Sequence, residues 1–325
     1  MISKLDSAHL MQILDGFPPQ GTTKGPNAVT IGVFDGLHLG HKALLQRCRD
    51  AARALGGQAI VITFMEHPDQ LLRGKAPPRL MTEADQCRGF EEMGMDLVVR
   101  IPFDKKTRNM GVEEFSRNLL TEGLGCSLLV LGFDSAICKD REGTLESFQA
   151  LGKELGFEAL RVPPFLVKGK PASSSEIRKA LRSGDIPEVN RILGRPWGFE
   201  GRVQAGQKLG RKLGFPTANV SPPPILLPPK GVYIARVTAD GKEHPAILNL
   251  GMRPTLLKED SAIENSLLCE AHLLDGPIDL EDKHLRFAFL AFLRDEKRFP
   301  CLEDLRAAIA RDCEMARNFF CRAQP

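Results

Sequence analysis

The sequence predicts two domains of different class: an α/β domain with a Rossmann-like parallel sheet, then a β-barrel or sandwich ending in a helix. Three observations carry this. The chain has 325 residues, which suggests two domains of ordinary size. Its first half alternates short β-branched runs with helical patterns, which argues a parallel sheet covered on both faces. Its second half carries short strands separated by Gly/Pro turns, the pattern of a barrel or sandwich.

In the first half, apolar runs at 28–33, 59–64, 97–101 and 127–131 are the expected strands. Between the first two, Leu44, Leu45, Cys48, Ala51, Ala52 and Leu55 recur at i, i+3, i+4 spacing, so a helix is expected there. A second helical pattern runs from Val112 through Phe115 to Leu119 and Leu120. In sheets of this kind ligands bind beyond the carboxyl ends of the strands. The loops after Val33, Phe64 and Leu131 are therefore the first candidates for a site.

In the second half, strands are expected near 201–204, 232–238, 246–250, 267–274 and 285–293. The segment SPPPILLPPKG is a proline-rich connection. A final helix is expected over 302–318, where Leu305, Ala308, Ile309 and Cys313 recur at helical spacing. The boundary falls in the region 184–198 and is placed between residues 186 and 187, giving domains 1–186 and 187–325.

Composition narrows the function. Apolar residues make up 42% and charged residues 26%, as in a soluble globular protein. The net charge of +3 lacks the strong basic excess of a nucleic-acid binder. No apolar stretch approaches the about 18 residues a membrane span needs. The first residues, MISKLDSAHLMQILDGFP, lack the apolar run of a signal peptide, and the eight scattered cysteines form no CxxC pair. A cytoplasmic enzyme is expected. Two local basic clusters, Arg178/Lys179/Arg182 and Lys208/Arg211/Lys212, read alone as solvated faces.

The string IGVFDGLHLGH follows the first apolar run directly. If a helix starts there, His38 and His41 share one face at its N-terminus, where free backbone N–H groups and the helix dipole attract phosphate. Gly40 between them allows close backbone approach. The string resembles the HxGH motif of nucleotidyltransferases, and more closely the G-x-FDG-x-HxGH of bacterial bifunctional riboflavin kinase/FAD synthetases. Three further segments are similar to that family in the same order: TFMEHP with His67, LGFD with Asp134, and SSSEIR from Ser173 to Arg178. In the last, Ser174 and Ser175 can cap a helix and offer N–H groups to a triphosphate, with Arg178 one turn on.

By that resemblance the first domain adenylylates FMN to FAD with ATP, releasing pyrophosphate. His38 and His41 would stabilise the transition state and leaving group, and Arg178 would hold the β- and γ-phosphates. Gly32, Asp35, Gly40, His67, Asp134, Ser174 and Ser175 would line the substrates. The chain departs from the family at three positions: Ile137 and Cys138 stand where Phe and Gly are expected, and Glu66 replaces a proline.

The second half continues the resemblance. GRVQAGQKLGRKLGFPTANV is glycine-rich, but it is neither a Walker A loop nor a dinucleotide fingerprint. Its GFPTAN resembles the PTAN motif of riboflavin kinases. PPKGVYIARV, NLGMRPT, CEAHLLD and RDEKRF follow in family order. The resemblance implies that this domain phosphorylates riboflavin to FMN with ATP. Thr217 and Asn219 would hold Mg2+ and ATP phosphates, Gly206, Gly210, Arg211 and Pro216 would line the nucleotide, and Glu270 would be the general base for the ribityl hydroxyl. His272, two residues on, reads as structural. Two other readings compete: a riboflavin kinase whose first domain only binds nucleotide or flavin, and a flavin sensor without catalysis.

Overall fold

A computed structural model describes residues 10–135, 137–204, 214–252, 267–276 and 278–322. Two compact units result. The first holds the described residues up to Ser173 apart from Leu80–Thr82. The second holds Leu80–Thr82 and the described residues from Ser174 onward.

The first unit is built on a six-stranded sheet: β1 (Gln12–Asp15), β2 (Asn27–Ile31), β3 (Ala59–Phe64), β4 (Leu97–Ile101), β5 (Cys126–Leu131) and β6 (Glu158–Arg161). The order is β1-β4-β3-β2-β5-β6, and every pair is parallel. The helices are α1 (Leu39–Leu55), α2 (Pro68–Arg73), α3 (Glu83–Glu92), α4 (Lys105–Arg108), α5 (Val112–Glu114) and α6 (Leu145–Leu155); α5 continues as a π-helical stretch over Phe115–Gly123. A two-stranded ribbon, β7 (Leu166–Val167) with β8 (Lys170–Pro171), follows.

β2, NAVTI, is buried at every position because both its faces are covered. One face packs with Phe115, Leu119, Leu120 and Phe148. On the other lies α1, which buries Leu44, Leu45, Cys48, Ala51 and Ala52, the stripe its spacing predicts. Gly56, in the left-handed conformation at φ 71°, ends α1 by donating its N–H to the Ala52 and Arg53 carbonyls. The chain leaves β2 toward β3 on one side and later fills β5 on the other. The carboxyl ends of β2 and β5 therefore flank the switch point, where a crevice forms in sheets of this order.

The second unit opens with α7 (Ser174–Arg182) and α8 (Ile186–Leu193). Six antiparallel strands then close into a barrel: β9 (Trp197–Gln204), β10 (Ala218–Val220), β11 (Gly231–Ala239), β12 (Lys242–Met252), β13 (Leu267–Leu273) and β14 (His284–Arg294), in the order β10-β13-β12-β11-β14-β9. Alternate residues fill the interior, among them Trp197, Phe199, Tyr233, Leu248, Cys269, Phe287 and Phe289. The helix α9 (Leu302–Arg322) covers part of the outer face, where Cys313 and Ala316 pack on Val232, Ile234 and Ile247. The Arg294 guanidinium anchors it with a two-pronged bond to the buried Asp312, Nε to Oδ1 at 2.9 Å and Nη2 to Oδ2 at 2.7 Å.

Candidate active sites

The first site is built on the carboxyl ends of three neighbouring strands. Gly32, Phe34 and Asp35 follow β2, His67 follows β3, and Asp134 follows β5. Asp35 is buried, His67 is half-buried, and Asp134 is exposed. A tight loop joins β2 to α1. Phe34, Gly36 and Leu37 all take positive φ, at 53°, 86° and 46°. Such backbone costs on the order of 1–3 kcal/mol per non-glycine residue and persists only where its surroundings hold it. Here the Gln86 amide clamps the loop, donating to the Val33 carbonyl at 2.8 Å.

His38 is the N-cap of α1. Its Nδ1 accepts the His41 backbone N–H at 3.2 Å, which places the proton of the neutral ring on Nε2. The His41 ring stacks on it, with centroids 3.6 Å apart and 19° between planes. Burial pushes the His38 pKa down to about 4. Burial, and then the neighbouring His38, hold His41 well below the usual histidine range. Both rings are neutral at pH 7. A Cβ on Gly40 would meet His38 Nδ1 at 3.1 Å and the Ala172 carbonyl at 3.3 Å. A side chain at position 40 would therefore fit tightly, and the His38 ring would have to give by a few tenths of an ångström.

His67 repeats the arrangement: it caps α2, with Nδ1 accepting the Asp69 N–H at 3.1 Å. Glu66 is exposed, and its carboxylate accepts the Phe103 N–H at 3.4 Å. Cys138 stands at φ 64°, ψ −178°, a region essentially reserved for glycine. Ser174 and Ser175 are the first residues of α7, so they present first-turn N–H groups, and Ser173 holds the position before the helix. Arg178 is buried on that helix. These three residues belong to the second unit.

The second site lies on the outer face of the barrel. Asn219 on β10 pairs with Glu270 on β13, and Glu270 pairs with Asn249 on β12. All three alternate with interior residues such as Ala218, Cys269 and Leu248, so they share the outer face. Asn219 is buried and Glu270 is half-buried. Burial raises the Glu270 pKa; the Asn249 side chain hydrogen-bonds the carboxylate and opposes this, and the Glu296 charge adds to it. A Cβ on Gly251 would overlap the Glu296 carboxylate. Thr217 is exposed just ahead of β10, and Pro216 before it is tied down by its carbonyl, which accepts from His272 Nδ1 at 2.9 Å. Gly206, Gly210, Arg211 and the end of NLGMRPT lie outside the described residues.

The sequence reading assigned no role to Phe34, Gln86, Asn249 or Glu296. Phe34, Asn249 and Glu296 stand inside the motifs quoted above, so their signal is present in the sequence. Gln86 lies in none of them, and its contact exists only in the folded chain.

Imidazoles at a helix start on the switch-point strand, and a carboxylate set between two amides on a small barrel, define a two-unit phosphate-transferring enzyme. The family model described as FAD synthetase matches residues 21–176, and that described as riboflavin kinase matches 193–320. The chain is 37% identical to the bifunctional riboflavin kinase/FMN adenylyltransferase of Pseudomonas fluorescens, over 89% of this chain and 91% of that protein. It is 36% identical to the Escherichia coli K12 protein of the same name, over 91% and 94%. For the Haemophilus influenzae protein the figures are 33%, 95% and 99%. The chain belongs to the bifunctional riboflavin kinase/FMN adenylyltransferase family. A solved Streptococcus pneumoniae structure titled as a macrolide-efflux protein shares the fold, with a TM-score of 0.82 at 25% identity, covering 95% of this chain and 99% of that one. Among the described residues no helix is long and apolar enough to cross a membrane.

Proposed function

We propose that the barrel phosphorylates riboflavin to FMN and the α/β unit adenylylates FMN to FAD, with ATP as co-substrate in both. The observation that carries this is the separation of the two signatures: His38 caps the switch-point helix of one unit with His41 in its first turn, while Asn219 and Glu270 pair on the barrel of the other.

In the α/β unit, the FMN phosphate attacks the α-phosphorus of ATP and pyrophosphate leaves. The His38 Nε2–H and the His41 ring are assigned to the phosphates, as neutral hydrogen-bond donors beside the free N–H groups of α1. Gly32, Asp35, His67 and Asp134 line the substrates from the same sheet edge. Ser174, Ser175 and Arg178 are assigned to the β- and γ-phosphates.

In the barrel, Glu270 takes the proton of the ribityl 5′-hydroxyl as it attacks the γ-phosphorus. Its raised pKa makes it a stronger base than a free carboxylate. Among the described residues no group of three His, Cys, Asp or Glu side chains could hold a metal ion. The neutral oxygens of Thr217 and Asn219 suit Mg2+, which takes few protein ligands and completes its shell with water and phosphate. When bound, Mg2+ neutralises phosphate charge. Gly206, Gly210, Arg211 and Pro216 are assigned to the nucleotide. The catalytic domains are assigned to 1–186 and 187–325, in the cytoplasm.

The test is to incubate the protein with riboflavin, ATP and Mg2+ and resolve the flavins by chromatography. FAD is expected; FMN alone would remove the adenylylation half, and unchanged riboflavin would remove both. His41→Ala should abolish FAD while FMN persists. Chains starting at 174 and at 187, assayed for FMN formation, test the domain boundary.

A further inference from the structure

The loop between β2 and α1 holds a residue whose placement the chemistry above does not use. Phe34 is fully buried, and its backbone is forced to φ 53°. Its ring meets the His41 imidazole edge-on, with centroids 5.1 Å apart and planes at 60°. It also meets Phe90, with centroids 5.5 Å apart and planes at 88°. A Cβ on Gly32 would come within 3.1 Å of the Phe34 ring, so the preceding strand end is also packed against it. His41 Nδ1 is buried and has no hydrogen-bond partner. An orphaned buried nitrogen is costly and needs a structural reason.

We propose that Phe34 is a positioning residue for adenylyl transfer: its ring closes off the inner nitrogen of His41 and wedges that imidazole against His38, leaving Nε2 of His41 as the proton-bearing atom presented to phosphate. The inference rests on the assignment of His38 and His41 to that reaction. A side chain without the ring, or with freedom to turn away, would admit water to Nδ1. The imidazole would then gain a second hydrogen-bonding arrangement and lose its single orientation. Left-handed backbone at a bulky residue is costly and persists only where the surroundings hold it, as full burial does here. Phe90 meets the Phe34 ring edge-on and shows no ring contact with His41.

The test uses the full chain carrying Phe34→Leu, with Phe90→Leu as the comparison for lost packing alone. Long-range proton–nitrogen NMR should find His41 as the Nε2–H tautomer in the wild type and in Phe90→Leu. In Phe34→Leu its nitrogen shifts should move toward exchange between tautomers. With FMN as substrate, kcat for FAD should fall by roughly 10- to 100-fold in Phe34→Leu, since small misplacements of catalytic groups cost rates of this order. KM for ATP should change far less, and Phe90→Leu should keep a near-normal kcat. Should Phe34→Leu fail to fold, Phe34→Met keeps the volume without the ring and carries the same expectations. An unchanged His41 signature and kcat in the variant, or an equal loss in Phe90→Leu, overturns the inference. His41→Ala separates the two levels: if it still makes FAD, the assignment of the histidines fails first. If it does not, and Phe34→Leu is normal, only the role of Phe34 fails.

Discussion

Asn219 and Glu270 are direct partners across the antiparallel β10–β13 ladder, with Asn249 on the far side of Glu270. Directly opposed side chains in such a ladder lie close enough to interact. The residues proposed as base and as ligand for metal-bound ATP are thus set side by side by strand pairing alone.

The two residues should separate kinetically. Glu270→Gln keeps the shape and the bond to Asn249 but removes the base, and should cut FMN formation by roughly 10²–10⁴-fold with little change in ATP affinity. Asn219→Ala should weaken ATP–Mg2+ binding as well as turnover. FAD synthesis from supplied FMN should survive both. Rates beside calorimetric ATP titrations check this; near-normal turnover in Glu270→Gln would move the base elsewhere.

The stacked histidines give a signed pH dependence. Both have folded pKa values below the ordinary 6.5, with His38 at about 4. Between those values the unfolded chain binds more protons than the folded one, so stability is full above about 6.5 and falls as pH drops toward 4. Thermal melts at pH 7 and pH 5 should show a smaller loss for His38→Gln than for the wild type. Equal losses would contradict a neutral pair.

Cys138 should behave like a glycine site. At an ordinary position Gly is less stable than Ala by about 0.4–1 kcal/mol through the unfolded chain. At φ 64°, ψ −178° a Cβ costs on the order of 1–3 kcal/mol, so the order should invert. Cys138→Gly should melt above Cys138→Ala, with both variants losing the same thiol. The reverse order would mean that the loop carries no such strain.

Asp312 should matter to the barrel more than its distance in sequence suggests. It is 2% exposed and receives both prongs of Arg294. Breaking a fully buried pair from one side costs about 3–5 kcal/mol; Arg294 is 19% exposed and still donates to the Asp295 carbonyl, so the loss expected here is about 1–3 kcal/mol. Asp312→Ala should lower the urea midpoint by a corresponding amount, and an Arg294→Met/Asp312→Leu double variant should recover much of it. A midpoint within error of the wild type would show that α9 docks without this pair.

Much of the architecture was legible because burial leaves periodic traces. The α1 stripe from Leu44 to Ala52 was readable as helix, and β3 and β4 matched their apolar runs residue for residue. β1, β6, β10 and the two-residue β7 and β8 leave no such trace. Gln12–Asp15 and Glu158–Arg161 lie at the sheet edges with exposed positions, so they lack a continuous apolar run. Ala218–Val220 is only three residues long, and its strand character comes from pairing with β9 and β13.

By itself, then, the sequence determined the two domain classes, the placing of His38 and His41 at a helix start, and the motifs around Asn219 and Glu270. Those depend on local periodicity and residue order, which the chain carries before it folds. Only the tertiary structure decided that the imidazoles stack as a buried pair, that Phe34 meets one of them edge-on, and that Glu270 sits between two asparagines on the outside of a barrel. Burial and strand register require segments distant in sequence to meet, while the ring contacts at His41 are short-range and depend on the left-handed backbone of the loop before α1; local pattern records neither.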